Sequence, residues 1–186
     1  MPQPDHSERP SDEADARQLQ LASQEGQAYQ QSLQYMANEV ADSGATQQAG
    51  DYIVGYAQEK AEGMYMPRGE GELEWMEPGE GENCHLEISV SDGADGRFVP
   101  SLTVHATLTR QGSGEQVGPF EVPFLWHPGV YHYGKNIQVP GDGPYDLHVR
   151  IEPPPFMRHD RANGNRYAST VEVDFRNIPL KTGREE

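Results

Sequence analysis

From residue 84 onward, polar and apolar positions alternate with a period of two. In "NCHLEISV", Cys84, Leu86, Ile88 and Val90 fall on one face, and His85, Glu87 and Ser89 on the other. "SLTVHATL" sets Leu102, Val104, Ala106 and Leu108 against Thr103, His105 and Thr107. "YDLHVRIE" sets Tyr145, Leu147, Val149 and Ile151 against Asp146, His148 and Arg150, and "STVEVDF" sets Val171, Val173 and Phe175 against Glu172 and Asp174. Turn-forming stretches separate these runs: "SDGADG", "RQGSGEQ", "PGDGPY" and "RANGN". Several one-sided strands at short spacing predict a β-sandwich or a barrel, not a parallel sheet. No internal repeat is visible.

The N-terminal part has a different texture. Ala22, Tyr29, Leu33, Met36 and Val40 are spaced by 7, 4, 3 and 4, which is one stripe of a helix. "DSGA" at 42–45 ends that pattern, with Gly44 as the expected C-terminal glycine. A stripe this narrow predicts a helix packed on the domain or on a partner. Residues 1–13 hold Pro, Ser and charge with almost nothing apolar, and are expected to be disordered. The expected organisation is therefore a tail (1–13), a helical extension (14–50), a β domain (51–180) and a short C-terminal tail (181–186).

Charge narrows the partners. The 186 residues include 30 acidic and 14 basic side chains, a formal net charge of −16. No basic patch is available for phosphate, so nucleic acid is not an expected partner. The single cysteine, Cys84, excludes a disulfide framework, and its place on an apolar strand face predicts a buried small hydrophobe. No apolar run approaches the roughly 18 residues of a spanning helix. The polar "MPQPDHSERPSDEADA" is not a signal peptide as it stands.

The chemistry lies in the histidines. His6 sits in the polar tail and is read as incidental, and His105 and His148 on polar strand faces are read as solvated. His85 and Glu87 form H-x-E, and the strand period puts both on one face, a natural half-site for a transition metal. His127 and His132 lie in the aromatic loop "FLWHPGVYHYGKN", and His159 in the Pro-rich "PPPFMRHDRANG". Imidazoles on separate strands and loops of a rigid domain can converge on an ion, but hydrogen-bonded structural histidines fit the spacing equally. Imidazole must be neutral to ligate, so unperturbed histidines predict metal binding that weakens as pH falls through about 6.5. No Gly-rich phosphate loop, nucleophile elbow or Cys pair is present.

"NCHLEISV", "VYHYGKNI" and "IEPPPFMRHD", in that order, resemble the periplasmic Fe²⁺ transport protein family (iron transport, Tp34-type). "GMYMPRGEGELEWMEPGEGENCHLE" extends the resemblance upstream, to roughly residues 51–180. The helical segment 14–45 has no counterpart in that pattern. The resemblance implies an immunoglobulin-like β-sandwich, hence an all-β fold with an N-terminal helical extension. It implies a homodimer outside the cytoplasmic membrane that binds copper or another divalent metal. It also implies support of iron uptake through a membrane permease, with a leader or lipid anchor removed, and no enzymatic activity. By position it assigns His85, Glu87, His132 and His159 to the metal. The family's methionine shortly before H-Y-G is missing from "VPFLWHPGVY", and His127 is the expected substitute. Imidazole in place of a thioether would suit Cu(II), Fe(II), Zn(II) or Mn(II) better than Cu(I). Met157, Met64 and Met66 are other sulfur sources, although Met157 and Trp126 are expected to be packed. Two other readings are a non-haem Fe(II) enzyme, marked by oxygen consumption with an organic co-substrate, and a protein-interaction module that binds no divalent ion.

Overall fold

A computed structural model describes residues 7–185. It is a β-sandwich with one N-terminal helix. The first sheet is antiparallel, in the order β1 (Ser43–Ala49), β2 (Tyr52–Glu59), β5 (Cys84–Asp92), β9 (His132–Ile137), β8 (Phe124–Leu125). The second runs β11 (Val171–Leu180), β10 (Gly143–Ile151), β6 (Val104–Arg110), β7 (Gln116–Glu121). A separate hairpin, β3 (Met64–Gly69) with β4 (Glu72–Met76), is inserted between β2 and β5.

The core is built from the apolar alternates of the two sheets. Leu86, Ile88 and Val90 of β5 meet Leu147, Val149 and Ile151 of β10, all fully buried. Each such side chain contributes roughly 1.5–3 kcal/mol by leaving water. Truncating Ile88 to alanine would cost about 2–5 kcal/mol through the cavity left behind. Cys84 is buried in this core, as its strand face predicts. Tyr133 of β9 points inward too; its hydroxyl donates to the Val99 carbonyl at 2.8 Å and accepts from the Leu102 N–H at 3.1 Å. That pair of bonds fixes β9, and with it the residues on its opposite face.

The extension differs from its expected form. Helix α1 spans Ala16–Tyr35 and starts with a capping box: the Asp15 side chain accepts from the Gln18 N–H while the Gln18 side chain accepts from the Asp15 N–H. It continues as one π turn, Met36–Val40, closed by the Ala41 N–H on the Met36 carbonyl. The chain is then a strand by residue 43. Gly44 is not a helix cap but pairs with Ala57 inside β1. The stretch 43–50 therefore belongs to the first sheet, turning into β2 through Gly50 at φ +57°.

Helix α1 lies on the outer face of the first sheet. Gln30 donates to Ser91 Oγ at 2.8 Å and to the Gly96 carbonyl at 2.9 Å, and Tyr29 Oη donates to the Tyr131 carbonyl. Gly26 allows the close approach, because a Cβ there would sit 1.8 Å from the Asp95 carbonyl oxygen. As a result every residue of β5 is buried, including those on its polar face.

Residues 7–13 are also bound to the domain, against the expectation of disorder. The Arg9 N–H donates to Asn163 Oδ1, Ser11 Oγ donates to Asp160 Oδ2, and Glu8 pairs with Arg166. Arg166 in turn holds the buried Asp92 at 2.8 Å, and Tyr167 Oη donates to the same carboxylate. The composition of the tail is polar, but so is the surface that receives it. His6 falls outside the described residues. At the other end, the Lys181 N–H donates to Gln58 Oε1 and the Arg184 guanidinium to the carbonyls of Glu82 and Gly79.

Candidate metal centre

The polar face of β5 and the facing residues of β9 form the site. Register places His85 opposite Asn136 and Glu87 opposite Gly134. With a period of two, His132, Gly134 and Asn136 share the face that His85 and Glu87 share. His132 therefore stands diagonally from Glu87, within reach of a long side chain. One ligand atom each from His85, Glu87 and His132 lies within 4.8 Å of the others. Glu87 Oε1 is 3.1 Å from His132 Nε2 and 3.9 Å from His85 Nε2.

Gly134 makes the convergence possible. A Cβ at this position would lie 2.9 Å from His85 Nε2, 3.1 Å from His132 Cδ2 and 2.6 Å from Leu125 Cδ1. Any side chain there would fill the space between the two rings. The glycine of H-Y-G is thus required by close approach rather than by a turn.

The hydrogen bonds of the two histidines fix which nitrogen faces the site. His132 Nδ1 is 3.2 Å from the Val130 carbonyl, which can only accept, so Nδ1 carries the proton. His85 Nδ1 is 2.9 Å from Asn136 Oδ1. The amide is oriented by its other end, because Asn136 Nδ2 donates to the Glu62 carbonyl at 2.7 Å. Both rings are therefore Nδ1–H tautomers, and both Nε2 lone pairs are bare. Each Nε2 is buried without a hydrogen-bond partner, although the Glu87 and Glu62 carboxylates stand nearby. A protonated Glu87 can donate to one of these acceptors, His132 Nε2 at 3.1 Å, so at least one buried lone pair stays unsatisfied unless a cation completes both. Neutral imidazoles held through Nδ1 by a carbonyl or amide oxygen are the usual presentation of metal-ligating histidines.

Burial also sets the charges. Desolvation pulls His132 down to about 4, with His85 adding to the effect. His85 is lowered as well, mainly by desolvation. Desolvation pushes Glu87 up to about 8, helped by the charges of Glu59 and Glu62. At neutral pH the metal-free site holds two neutral rings and a largely protonated carboxyl. The expected loss of binding near pH 6.5 is thus altered: burial lowers both histidines, His132 to about 4, and Glu87 becomes the group that titrates nearest neutrality.

With that geometry in hand, comparison with known proteins is direct. The family model described as Fe²⁺ transport protein matches residues 49–178. The chain belongs to the Fe²⁺ transport protein family. A UPF0423 protein of Brucella abortus is 33% identical over 92 residues, 45% of this chain and 50% of the relative. The chain thus spans about half the length of the curated relatives it matches. Among solved structures, FetP of uropathogenic Escherichia coli, expressed in the periplasm, aligns at TM-score 0.61 and 23% identity, over 74% of this chain and 93% of FetP. A copper-bound variant of that FetP aligns at 0.58 and 25% identity, over 74% and 92%. Copper-reconstituted P19 of Campylobacter jejuni aligns at 0.61 and 18% identity, over 76% and 96%.

Not every residue expected at the metal gathers there. His159 does not: its side chain is 91% exposed and its Nδ1 pairs with Glu13 at 3.0 Å. His127 reaches the margin, with its ring centroid 6.0 Å from that of His132. Its Nδ1, however, accepts the Gly129 N–H at 3.0 Å, which caps the Pro128–Gly129 turn. His127 thus lies outside the three-residue cluster. Met157 and Trp126 are not packed as expected but are 96% and 69% exposed. His105 is half-buried, with Nδ1 enclosed and unpartnered, instead of solvated. His148 is partly exposed and pairs with Asp174 at 3.0 Å.

Two contributors escaped the pattern of residues. Asn136 orients His85, and its signal was the period of two running through H-x-G-x-N. Glu62 Oε1 stands 3.6 Å from His85 Nε2, on a linker between β2 and β3 that no periodicity marks. With Glu59 and Glu185 it forms an acidic group beside the site.

Proposed function

We propose that this protein binds copper or iron at His85, Glu87 and His132, outside the cytoplasmic membrane, and supports iron uptake through a membrane permease. The observation that carries the reading is the pair of buried Nε2 lone pairs converging on one carboxyl group in a chain of the Fe²⁺ transport protein family. A divalent ion there would meet two neutral imidazoles and one carboxylate, a mixed donor set suited to Cu(II) or Fe(II), with Zn(II) and Mn(II) as competitors. When bound, the ion supplies a charge that favours the ionised form of Glu87. The chain itself holds both rings in one tautomer, keeps bulk water from the site under α1, and releases the Glu87 proton as the carboxylate engages.

A location outside the cytoplasm is supported by FetP expressed in the periplasm. No helix among the described residues is long and apolar enough to cross a membrane. His127 is placed to extend the ligand set only by swinging its free Nε2 inward from the turn. His159, exposed and paired with Glu13, joins an ion only across the homodimer that the resemblance implies.

The uptake role is tested by complementation. A strain lacking the gene and grown on limiting iron should be restored by the parent and not by His132→Ala, with ⁵⁵Fe uptake as the readout. Equal restoration by the two would refute a role of this site in uptake.

A further inference from the structure

A small cavity separates α1 from the β5–β9 face. Its volume is about 20 Å³, which is room for one water-sized sphere. Glu87 and His132 line it from the sheet, and Met36 and Leu33 line it from the helix. We propose that Met36 is a thioether ligand of the ion held by Glu87 and His132, so that α1 forms one wall of the metal centre. The inference rests on the proposed metal site and adds a donor to it.

Three observations converge. First, the cavity joins Met36 to two of the three clustered donors, and His132 Nε2 beside it is buried and unpartnered. Second, Met36 opens the π turn that closes through the Ala41 N–H on its own carbonyl. A π turn is a rare departure from the α-helix that is frequent at functional sites, and here it begins at the residue that lines the cavity with the donors. Third, the helix is anchored where a ligand requires it to be. Tyr29 and Gln30 tie it to the sheet on one side. On the other, its end packs so closely on β1 that a Cβ at Gly44 would lie 3.0 Å from the Ala37 Cβ. The other sulfur candidates do not compete. Cys84 faces the opposite, core side of β5, Met64, Met66 and Met76 ride on the outlying hairpin, where Arg68 donates to the Met76 sulfur, and Met157 is exposed. A thioether beside two imidazoles and a carboxylate raises the affinity for Cu(I) in particular, because sulfur is the soft donor of the set.

The test uses the full chain and three metal probes: Cu(I) by competition with a chromophoric chelator, and Zn(II) and Mn(II) by direct titration. Met36→Leu keeps the volume and apolar character of the side chain, so the fold is preserved. Cu(I) affinity should fall by about tenfold or more, since a direct donor is worth at least as much as the outer partners of a ligand, while Mn(II) and Zn(II) affinities change far less. Met157→Leu should change none of them. In protein labelled with [methyl-¹³C]methionine, the resonance that Met36→Leu removes should be the one that shifts when Cu(I) is added. Unchanged Cu(I) affinity in Met36→Leu, with His132→Ala losing it, would overturn the role of Met36 and leave the three-residue site intact. Failure of the parent to bind any of the three ions would overturn both.

Discussion

Lowering the pH from 7 to 6 should weaken binding of a divalent ion about tenfold, and Glu87→Gln should abolish that dependence. The magnitude follows from the buried carboxyl. Desolvation and the neighbouring Glu59 and Glu62 charges hold Glu87 at about 8. An ion needs its carboxylate form, so below that value each bound ion must expel one proton, and the apparent affinity falls by about one log unit per pH unit. His132 adds nothing over this range, because burial keeps it at about 4, and burial moves His85 in the same direction. The assay is a titration with Mn(II) or Zn(II) at half-unit steps from pH 5.5 to 9, with proton release measured in buffers of different ionisation enthalpy. The curve should flatten above about pH 8. Glu87→Gln should bind more weakly at pH 8 but with a nearly flat profile between pH 8 and pH 7. A midpoint near 6.5 in both proteins would refute the reasoning, since it would mean that solvated histidines control the site.

The same carboxyl predicts a change in stability of the metal-free protein. A folded pKa raised above its unfolded value stabilises most below about 4.5, and that contribution is lost as pH rises through about 8. Ionised Glu87 thus carries a cost of ~5 kcal/mol, and the melting temperature of Glu87→Gln should gain on the parent by several degrees between pH 5 and pH 9. Gly134→Ala should fold with a loss of about 1–3 kcal/mol from overpacking and bind metal at least roughly tenfold more weakly, because its methyl lies where His85 Nε2 and His132 meet; thermal melts and a Cu(II) titration measure the two effects. Asn136→Leu frees the Nδ1 of His85 from its oxygen partner and should cost about 10–100-fold in affinity with little change in the secondary structure seen by circular dichroism.

The sandwich was legible because its strands bury one face each, and that imprints a period of two. The H-x-E half-site was legible for the same reason, and the H-Y-G motif pointed to the facing strand. What the pattern missed lies where tertiary contacts override local texture. "SGATQQAG" holds few apolar residues, yet it forms β1 because β2 offers it a full ladder and the π turn packs on Gly44. The segment at 7–13 looks too polar to order, but its partners are Asn163, Asp160 and Arg166, and polar groups bind polar groups without leaving a hydrophobic trace. His159 was assigned by motif alone; within one chain it is exposed and paired with Glu13, apart from the three-residue cluster. The shifted titration of the site was equally hidden, because it comes from α1 covering a strand face that reads as solvent-exposed.

The central claim is that His85, Glu87 and His132 hold a divalent ion. Its most direct test is the metal content of protein purified without chelator or affinity tag, reconstituted with Cu(II), dialysed and measured by elemental analysis. The account predicts about one ion per chain in the parent, in His105→Ala and in His148→Ala, and a loss of binding by an order of magnitude or more in His85→Ala and His132→Ala. Metal retained equally by the parent and by His85→Ala, with both folded, would contradict it.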